Sequence, residues 1–328
     1  MRILVLGGTA FVGRHLVEAA LARGHEPVLF TRGQTGPDVF PEVEHVQGDR
    51  EQGLDRLAGR SFDTVVDTSG YLPRVVAASV RALAGHAEQY AFVSTISVYE
   101  EAARLSEDSP TRRPADPASE DVGAEYGGLK TLCEEAVRRE FPGKVLILRP
   151  GLIVGPHDYT GRFSYWPRRI ARGGEVLAPG RPEARVWFVD VRDLAAFTLA
   201  LVEHGETGVY NVDGPAEPLT MRGLLETCRD VARSDAHFTW VPDVFLTEQG
   251  VAPYTELPLW LPDPGHPEVA IGPALAAGLE LRPVRDTIAA VLAADDAGSA
   301  PVYGWERPRA GLDPAREREL LAAWRAAR

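Results

Sequence analysis

Arg2-Ile3-Leu4-Val5-Leu6-Gly7-Gly8-Thr9-Ala10-Phe11-Val12-Gly13 opens the chain, and Val28-Leu29-Phe30-Thr31-Arg32-Gly33 follows soon after. A short apolar run, Arg2 to Leu6, stops at two glycines. From Phe11 on, the apolar positions Phe11, Val12, Leu16, Ala19 and Ala20 recur at helical spacing. The order is strand, glycine turn, helix. Such a turn leaves unpaired backbone N–H groups and the positive end of a helix dipole pointing one way, which suits a phosphate. Gly7 supplies the sharp turn, Gly8 lets the backbone approach a pyrophosphate, and Gly13 lets the helix lie close on its sheet. Arg23-Gly24 ends the helix, and Pro27 to Thr31 reads as a second strand. With strand and helix both in place, the cluster is expected to cradle a dinucleotide; a turn made for packing alone is the weaker reading. No Gly-Lys-Ser/Thr follows, which sets a P-loop aside.

The end of the second strand bears on which dinucleotide. A carboxylate there would bind the free ribose 2′-hydroxyl of NAD. This chain has Thr31 and then Arg32, with a guanidinium able to hold a 2′-phosphate. NADP(H) is the expected cofactor and NAD(H) stays open; a solvated loop charge is the bland alternative for Arg32.

The 328 residues, 45% apolar and 25% charged, suffice for one large α/β unit with a smaller appendage. A net charge of -12 argues against non-specific nucleic-acid binding. Two cysteines, Cys133 and Cys228, give no disulfide framework and fit a reducing, cytoplasmic setting. No signal peptide or membrane-length apolar run is seen, so no membrane partner is expected.

Through the first half, strands alternate with helices, the pattern of a doubly wound parallel α/β sheet. Val43 to Gln47, Thr64 to Asp67, Tyr90 to Ser94 and Val145 to Leu148 read as further strands, and Pro73 to Leu83 as a helix. Between Tyr99 and Tyr126 the chain turns polar and reads as a surface excursion. A helix from about Tyr126 to Glu140 follows. Residues 1–155 are expected to form the Rossmann-type dinucleotide-binding domain. Residues 156–328 would form a smaller substrate-binding α/β region, with 186–215 returning to pack on the sheet. Within it, Phe163 to Arg172, Val191 to Val202 and Met221 to Ala232 read as helices, with Thr220 as a cap. Val186 to Val189 and Gly208 to Val212 read as extended, Pro253 to Pro267 as a loop, and Asp313-Pro314 as the start of a last helix.

Ligands of such sheets lie beyond the carboxyl ends of the strands. Those ends carry Gly7-Gly8, Thr31-Arg32, Asp49-Arg50, Thr68-Ser69-Gly70, Ser94-Thr95 and Pro150-Gly151. The reactive group to join them is Tyr126, with Lys130 at i+4 on the same helical face. A phenol titrates near 10, and a neighbouring ammonium lowers that value. A hydroxyl from Thr95 or Ser97 would hold a substrate carbonyl while Tyr126 donates its proton. Alone, Tyr-x-x-x-Lys is common on helix surfaces; the glycine turn and the Ser94–Tyr99 stretch raise it to a candidate site.

Here the chain resembles the extended, or atypical extended, short-chain dehydrogenases/reductases of the NAD(P)-dependent epimerase/dehydratase family, from residue 1 to about 215. Gly7 to Gly13 resembles the family's cofactor turn and Gly48-Asp49 its adenine-contacting pair. Val93-Ser94-Thr95-Ile96-Ser97-Val98-Tyr99 resembles the catalytic-serine strand end, which places Thr95 at the catalytic hydroxyl. Tyr126 and Lys130 resemble the catalytic pair, and Arg149-Pro150-Gly151-Leu152-Ile153-Val154-Gly155-Pro156 the loop against the nicotinamide. The resemblance implies that Thr95 orients a carbonyl and Tyr126 is the general acid/base. Lys130 would lower the tyrosine's pKa and hold the ribose. Thr68, Ser69, Gly70, Ser94, Pro150, Gly151, Leu152 and Ile153 would complete the cofactor contacts. Ala10 stands where the family has its middle glycine. Val186 stands where nucleotide-sugar members carry a diphosphate-clamping arginine, and Arg185 is one step off, on the opposite side of a strand.

Residues 162 to 185 hold Arg162, Arg168, Arg169, Arg172, Arg181 and Arg185 against Glu175 and Glu183, a surplus that suits an anionic substrate or a solvated face equally. His157, Tyr159, Tyr165, Trp166, Trp187 and Trp260 read as core sooner than pocket. The histidines show no metal spacing, and no metal is expected. Cys133 reads as packed, and Asp67 as structural or catalytic alike. The chain is thus read as a reductase of a carbonyl or imine on a small-molecule substrate. The alternatives are a sugar-nucleotide epimerase or dehydratase that retains its NAD(P), and a non-catalytic dinucleotide sensor. A homodimer stays open.

Overall fold

A computed structural model of the chain describes residues 1–36, 38–262, 265–296 and 310–328. Residues 263 and 264 of the stretch read as a proline-rich loop lie outside the described residues. In chain order the first half holds β1 (Arg2–Leu6), α1 (Phe11–Ala22), β2 (Glu26–Thr31), β3 (Glu44–Gln47), β4 (Phe62–Asp67), α2 (Pro73–Leu83) and β5 (Ala87–Val93). Next come β6 (Arg104–Leu105), α3 (Val122–Glu140), β7 (Lys144–Pro150), β8 (Ile153–Val154), α4 (Tyr165–Ala171) and β9 (Glu175–Pro179). Then follow β10 (Val189–Asp190), α5 (Val191–Glu203), β11 (Gly208–Val212), α6 (Met221–Ala232), β12 (His237–Val241) and α7 (Asp243–Glu248). Last are β13 (Glu268–Val269), α8 (Gly272–Ala276), α9 (Val284–Asp296) and α10 (Pro314–Ala326).

Seven strands form one parallel sheet in the order β11-β7-β5-β4-β1-β2-β3. The order reverses between β1 and β4, which opens a crevice at their carboxyl ends. Strands such as Ile3-Leu4-Val5-Leu6 are apolar on both faces because helices cover both. Leu16, Val17 and Ala20 of α1 join Leu194 and Phe197 of α5 on one face. On the other, Val76 and Val80 of α2 join Cys133 and Val137 of α3. The 19-residue α3 begins at Val122, earlier than its pattern suggests, because Asp121 Oδ1 accepts the Ala124 N–H at 3.0 Å.

A separate core lies beyond the sheet, around Trp166, Leu177, Leu224, Leu225, Leu246 and Leu320. Here β9 pairs β12, a two-stranded unit with no marked periodicity in either segment. Of the stretch read as extended over Val186 to Val189, only the end is strand; Val189–Asp190 pairs β8. Chain ends are tied in by charge: Arg169 Nε donates to Glu317 at 2.6 Å, and Arg168 forks Asp295 at 2.6 and 2.5 Å. The polar excursion after Tyr99 is also pinned, since β6 pairs β13 and Glu107 Oε1 accepts the Asn211 N–H at 2.9 Å. Among the described residues, no helix is long and apolar enough to cross a membrane.

Candidate active site

The crevice at the switch point encloses about 510 Å³. Its walls are the whole turn Gly7 to Gly13, Thr31, Arg32, Asp49, Arg50, Thr68 and Ser69, together with Tyr71 and Tyr159. Gly7 has φ +107°, open to glycine at little cost, and a Cβ there would sit 2.5 Å from Thr68 Oγ1. A Cβ on Gly13 would lie 2.4 Å from the Gly8 nitrogen, so the first turn of α1 rests directly on the glycine turn. Ala10 gives that helix no side-chain cap, and its first turn holds no acidic residue. Unpaired amides and an uncapped helix start are what a pyrophosphate requires, so the residues present fit a dinucleotide.

Two expected contacts behave differently. Arg32 is exposed at the rim, and its guanidinium makes no ion pair or hydrogen bond among the described residues. Arg50 turns inward instead, forking the fully buried Asp67 at 2.8 and 2.7 Å. Tyr90 Oη donates to the same carboxylate at 2.8 Å, and the Ser69 N–H at 3.0 Å. Expected to face the cofactor, Arg50 is an internal counter-ion, and Asp67 is its structural partner.

Tyr126 stands on the far side of the crevice. Glu125 leaves helical geometry (φ −115°, ψ 21°), so regular helix resumes at Tyr126. Gly127 and Gly128 then let α3 touch other backbone: a Cβ on Gly127 would meet the Ser97 carbonyl oxygen at 2.0 Å. That approach sets the Tyr126 phenol beside the Thr95 hydroxyl, which favours the phenol's charged form. Thr95 Oγ1 itself accepts the Ser97 N–H at 3.1 Å and donates to Ser97 Oγ at 3.2 Å. The Tyr71 ring lies 6.4 Å from that of Tyr126.

Lys130 departs from its expected role. Its ammonium is 3% exposed and donates to the carbonyls of Gly70 and Val93, both at 2.8 Å, over the Phe92 ring at 4.1 Å. Burial lowers its pKa to about 8. Burial also raises the Tyr126 pKa above the usual phenol value; Thr95 opposes that, and the leading cation to do so is Arg162. Lys130 thus ties β4 and β5 to α3, and the phenol is not shifted down as expected.

Gly70 serves through that carbonyl, and a Cβ on it would strike Phe92. Ser94, at the end of β5, is buried with its hydroxyl unpartnered among the described residues. Pro150 closes β7, Gly151 donates its N–H to Val212 at 3.0 Å, Leu152 packs on the C-terminal core, and Ile153 pairs Val189. None of these four lines the crevice wall. Against Gly151 lies Asp213, 1% exposed, with neither carboxyl oxygen in hydrogen-bond geometry; burial raises its pKa to about 7. No motif marked it.

Of the arginine-rich segment, Arg168 and Arg169 are spent on Asp295 and Glu317. Arg162 sits 5.8 Å from the centre of the Tyr254 ring, and Tyr159 meets Phe11 edge-on at 6.3 Å. Tyr254 also borders a second cavity of about 780 Å³, with Arg185, Trp187, Trp260 and His266 in its wall. Trp166 and Tyr165 are core, as their type suggests; Trp187 and Trp260 border the cavity. Val186 is buried in the core while Arg185 faces that cavity. Cys133 is packed, its thiol pushed up to about 12 by burial. Among the described residues no three His, Cys, Asp or Glu side chains gather as a metal site.

A glycine-turn crevice faced by a tyrosine and a strand-end threonine defines a dinucleotide-dependent short-chain enzyme. The NAD dependent epimerase/dehydratase family matches residues 3–70 and 60–213, and the chain belongs to that family, as an extended short-chain dehydrogenase/reductase. Curated relatives include a dTDP-6-deoxy-L-talose 4-dehydrogenase (NAD(P)(+)) of Kitasatospora kifunensis, 29% identical over 78% of this chain and 85% of that one. A bifunctional pinoresinol-lariciresinol reductase of Forsythia intermedia is 29% identical over 69% and 74%. The chloroplast stem-loop binding protein of 41 kDa b of Arabidopsis thaliana is 27% identical over 69% of this chain, which spans 62% of that protein. In fold, a UDP-glucose 4-epimerase superposes with TM-score 0.69 at 16% identity, covering 94% of this chain and 100% of the other. A Bacillus cereus UDP-glucuronic acid 4-epimerase in complex with NAD gives 0.65 at 18%, covering 90% and 99%.

Proposed function

We propose that the protein is an NADP(H)-dependent reductase of a carbonyl or imine on a small substrate. The observation that carries this is the Tyr126 phenol set beside the Thr95 hydroxyl, across from an uncapped glycine turn. The turn amides from Gly7 to Gly13 would hold the pyrophosphate, Arg32 a 2′-phosphate, and Asp49 the adenosine end. A bound nicotinamide supplies two electrons and a proton together, as hydride, to the carbonyl carbon. Thr95 orients the carbonyl oxygen, and Tyr126 gives that oxygen its proton as the C=O π bond breaks. Solvent then returns a proton to Tyr126. Because burial holds the phenol above its ordinary pKa, it stays protonated at neutral pH, as a proton donor must.

The relatives named as reductases and as a 4-dehydrogenase support net redox chemistry, as does Val186 where a diphosphate-clamping arginine would stand. The reading is tested by following NADPH oxidation at 340 nm over a carbonyl panel. Tyr126→Phe should lower kcat by about 10²–10⁴-fold, the span of a lost general acid, with NADPH binding unchanged. Intact turnover by that variant refutes the assignment. Turnover of a nucleotide sugar without added NADP(H) and without net redox change would assign the protein as a cofactor-retaining epimerase instead.

A further inference from the structure

Beside Tyr126 the fold holds a cation that it does not spend. Arg162 closes a tight turn whose geometry is set from below. Asp158 accepts the Thr160 N–H at 2.8 Å and the Thr160 hydroxyl at 3.0 Å, and Thr160 Oγ1 accepts the Arg162 N–H at 3.3 Å. Asp158 is 6% exposed, so the turn is anchored in the interior while the Arg162 side chain emerges from it. The guanidinium lies 5.8 Å from the Tyr254 ring centre, a cation–π contact that orients it without neutralising it.

The treatment of neighbouring arginines sharpens the point. Arg168 and Arg169, on the next helix, are each locked to a carboxylate, Asp295 and Glu317. No carboxylate among the described residues lies within ion-pair distance of Arg162. The groups acting on Tyr126 are Thr95, Tyr159, Arg162 and Cys133, and Arg162 is the cation among them; Lys130 is occupied by two carbonyls. The mouth is otherwise aromatic, bounded by Tyr71, Tyr159 and Tyr254. A free guanidinium in such a surround presents paired donors that match the two oxygens of a carboxylate.

We infer that Arg162 is a substrate clamp: the compound reduced at Tyr126 carries a carboxylate next to the reacting carbonyl, and Arg162 holds it. This rests on the reductase reading above and adds the substrate class, an oxo acid. The clamp fixes the carbonyl relative to Thr95 and Tyr126, and its charge offsets the negative charge that grows on the carbonyl oxygen before the proton arrives.

Binding is read without turnover by calorimetric titration at saturating NADP+. The probes are 2-, 3- and 4-oxo carboxylates, including benzoylformate, each paired with its uncharged methyl ester. In the wild type at least one acid should bind about tenfold or more tightly than its ester, the scale of a charge-assisted hydrogen-bond pair. Arg162→Gln should abolish that preference while leaving ester binding within about twofold, and Arg162→Lys should keep part of it. With an acid that turns over, Arg162→Gln should raise KM and move the alkaline fall in kcat to higher pH, since the cation favouring the phenolate is gone. Tyr126→Phe should lose turnover yet keep the acid-over-ester preference. Equal binding of acids and esters, no binding by any pair, or equal losses for both in Arg162→Gln overturns the clamp. Undiminished turnover by Tyr126→Phe, with the preference intact, overturns the reductase chemistry alone.

Discussion

The two sides of the sheet treat buried polarity in opposite ways at their carboxyl ends. Where β1 and β4 meet, the groups are closed on one another. Arg50 forks Asp67, Tyr90 and the Ser69 amide fill the remaining carboxylate positions, and Leu6 O accepts from Thr68 Oγ1 and Ser69 Oγ at 3.1 and 3.2 Å. At the ends of β5 and β11 the hydroxyl of Ser94 and both oxygens of Asp213 are buried without hydrogen bonds among the described residues. Yet the interior of that second side is closed as well: Arg149 forks Glu134 at 2.9 and 2.6 Å, and its Nη1 donates to Tyr99 Oη at 2.9 Å. So the contrast belongs to the rim, not to the strands. Unsatisfied buried groups cost stability, and here they cluster beside the phenol.

Opening the closed side should have the largest effect. Asp67→Asn leaves Arg50 with an uncompensated charge in a site where the carboxylate was fully buried. Removing one partner of a buried pair costs about 3–5 kcal/mol, to be seen as a lower urea midpoint at constant m-value. Asp67→Leu combined with Arg50→Met should recover most of that loss, because no charge is then stranded. If the single variant is as stable as wild type, the pair is not closed as described.

On the open side the sign reverses, and pH reveals it. Burial raises the Asp213 carboxyl to about 7, against about 4 in an unfolded chain. Between those values the folded state binds more protons than the unfolded state, so stability falls as pH rises and levels off above about 7. Asp213→Asn removes the titration. It should match wild type near pH 4 and gain on it up to pH 8, by at most on the order of 4 kcal/mol, less whatever the local backbone relaxes. Thermal melts across that range check it. A constant difference between the two proteins would show that Asp213 ionises freely when folded.

This contrast also marks what could be read from the chain alone. The glycine turn and the strand–helix alternation were legible because their causes are local: Gly7, Gly13 and the apolar spacing of α1 act within a dozen residues of one another. Tyr126 and Thr95 were legible too, through a spacing and a strand end. Partners contributed by other strands were not. An i, i+4 spacing puts Lys130 on the face of Tyr126, but it is silent about the Gly70 and Val93 carbonyls that capture the ammonium. Arg50 follows Asp49 in sequence while its charge belongs to Asp67. Asp213 belongs to no motif, and the pairing of β9 with β12 joins segments with no shared signal. The free guanidinium of Arg162 could not be told from Arg168 and Arg169 until their carboxylates were located.

The smallest expected effect tests whether the crevice rim, like the phenol side, keeps a charge in reserve. Arg32 is exposed, so any contact with a 2′-phosphate is made partly in water and screened by salt. Arg32→Ser should therefore weaken NADPH binding by only about tenfold, near the low end for a charge-assisted hydrogen bond, and leave NADH within about twofold. The difference should shrink as salt rises, because its source is the attraction between guanidinium and phosphate. A fluorescence titration of both nucleotides at two ionic strengths separates the cases. Equal losses for the two would make Arg32 a general rim contact, and tighter NADH binding in the wild type would assign the second-strand end to a free ribose. Either outcome leaves the pyrophosphate cradle intact, because Gly7 to Gly13 bind through backbone amides that no change at Arg32 alters.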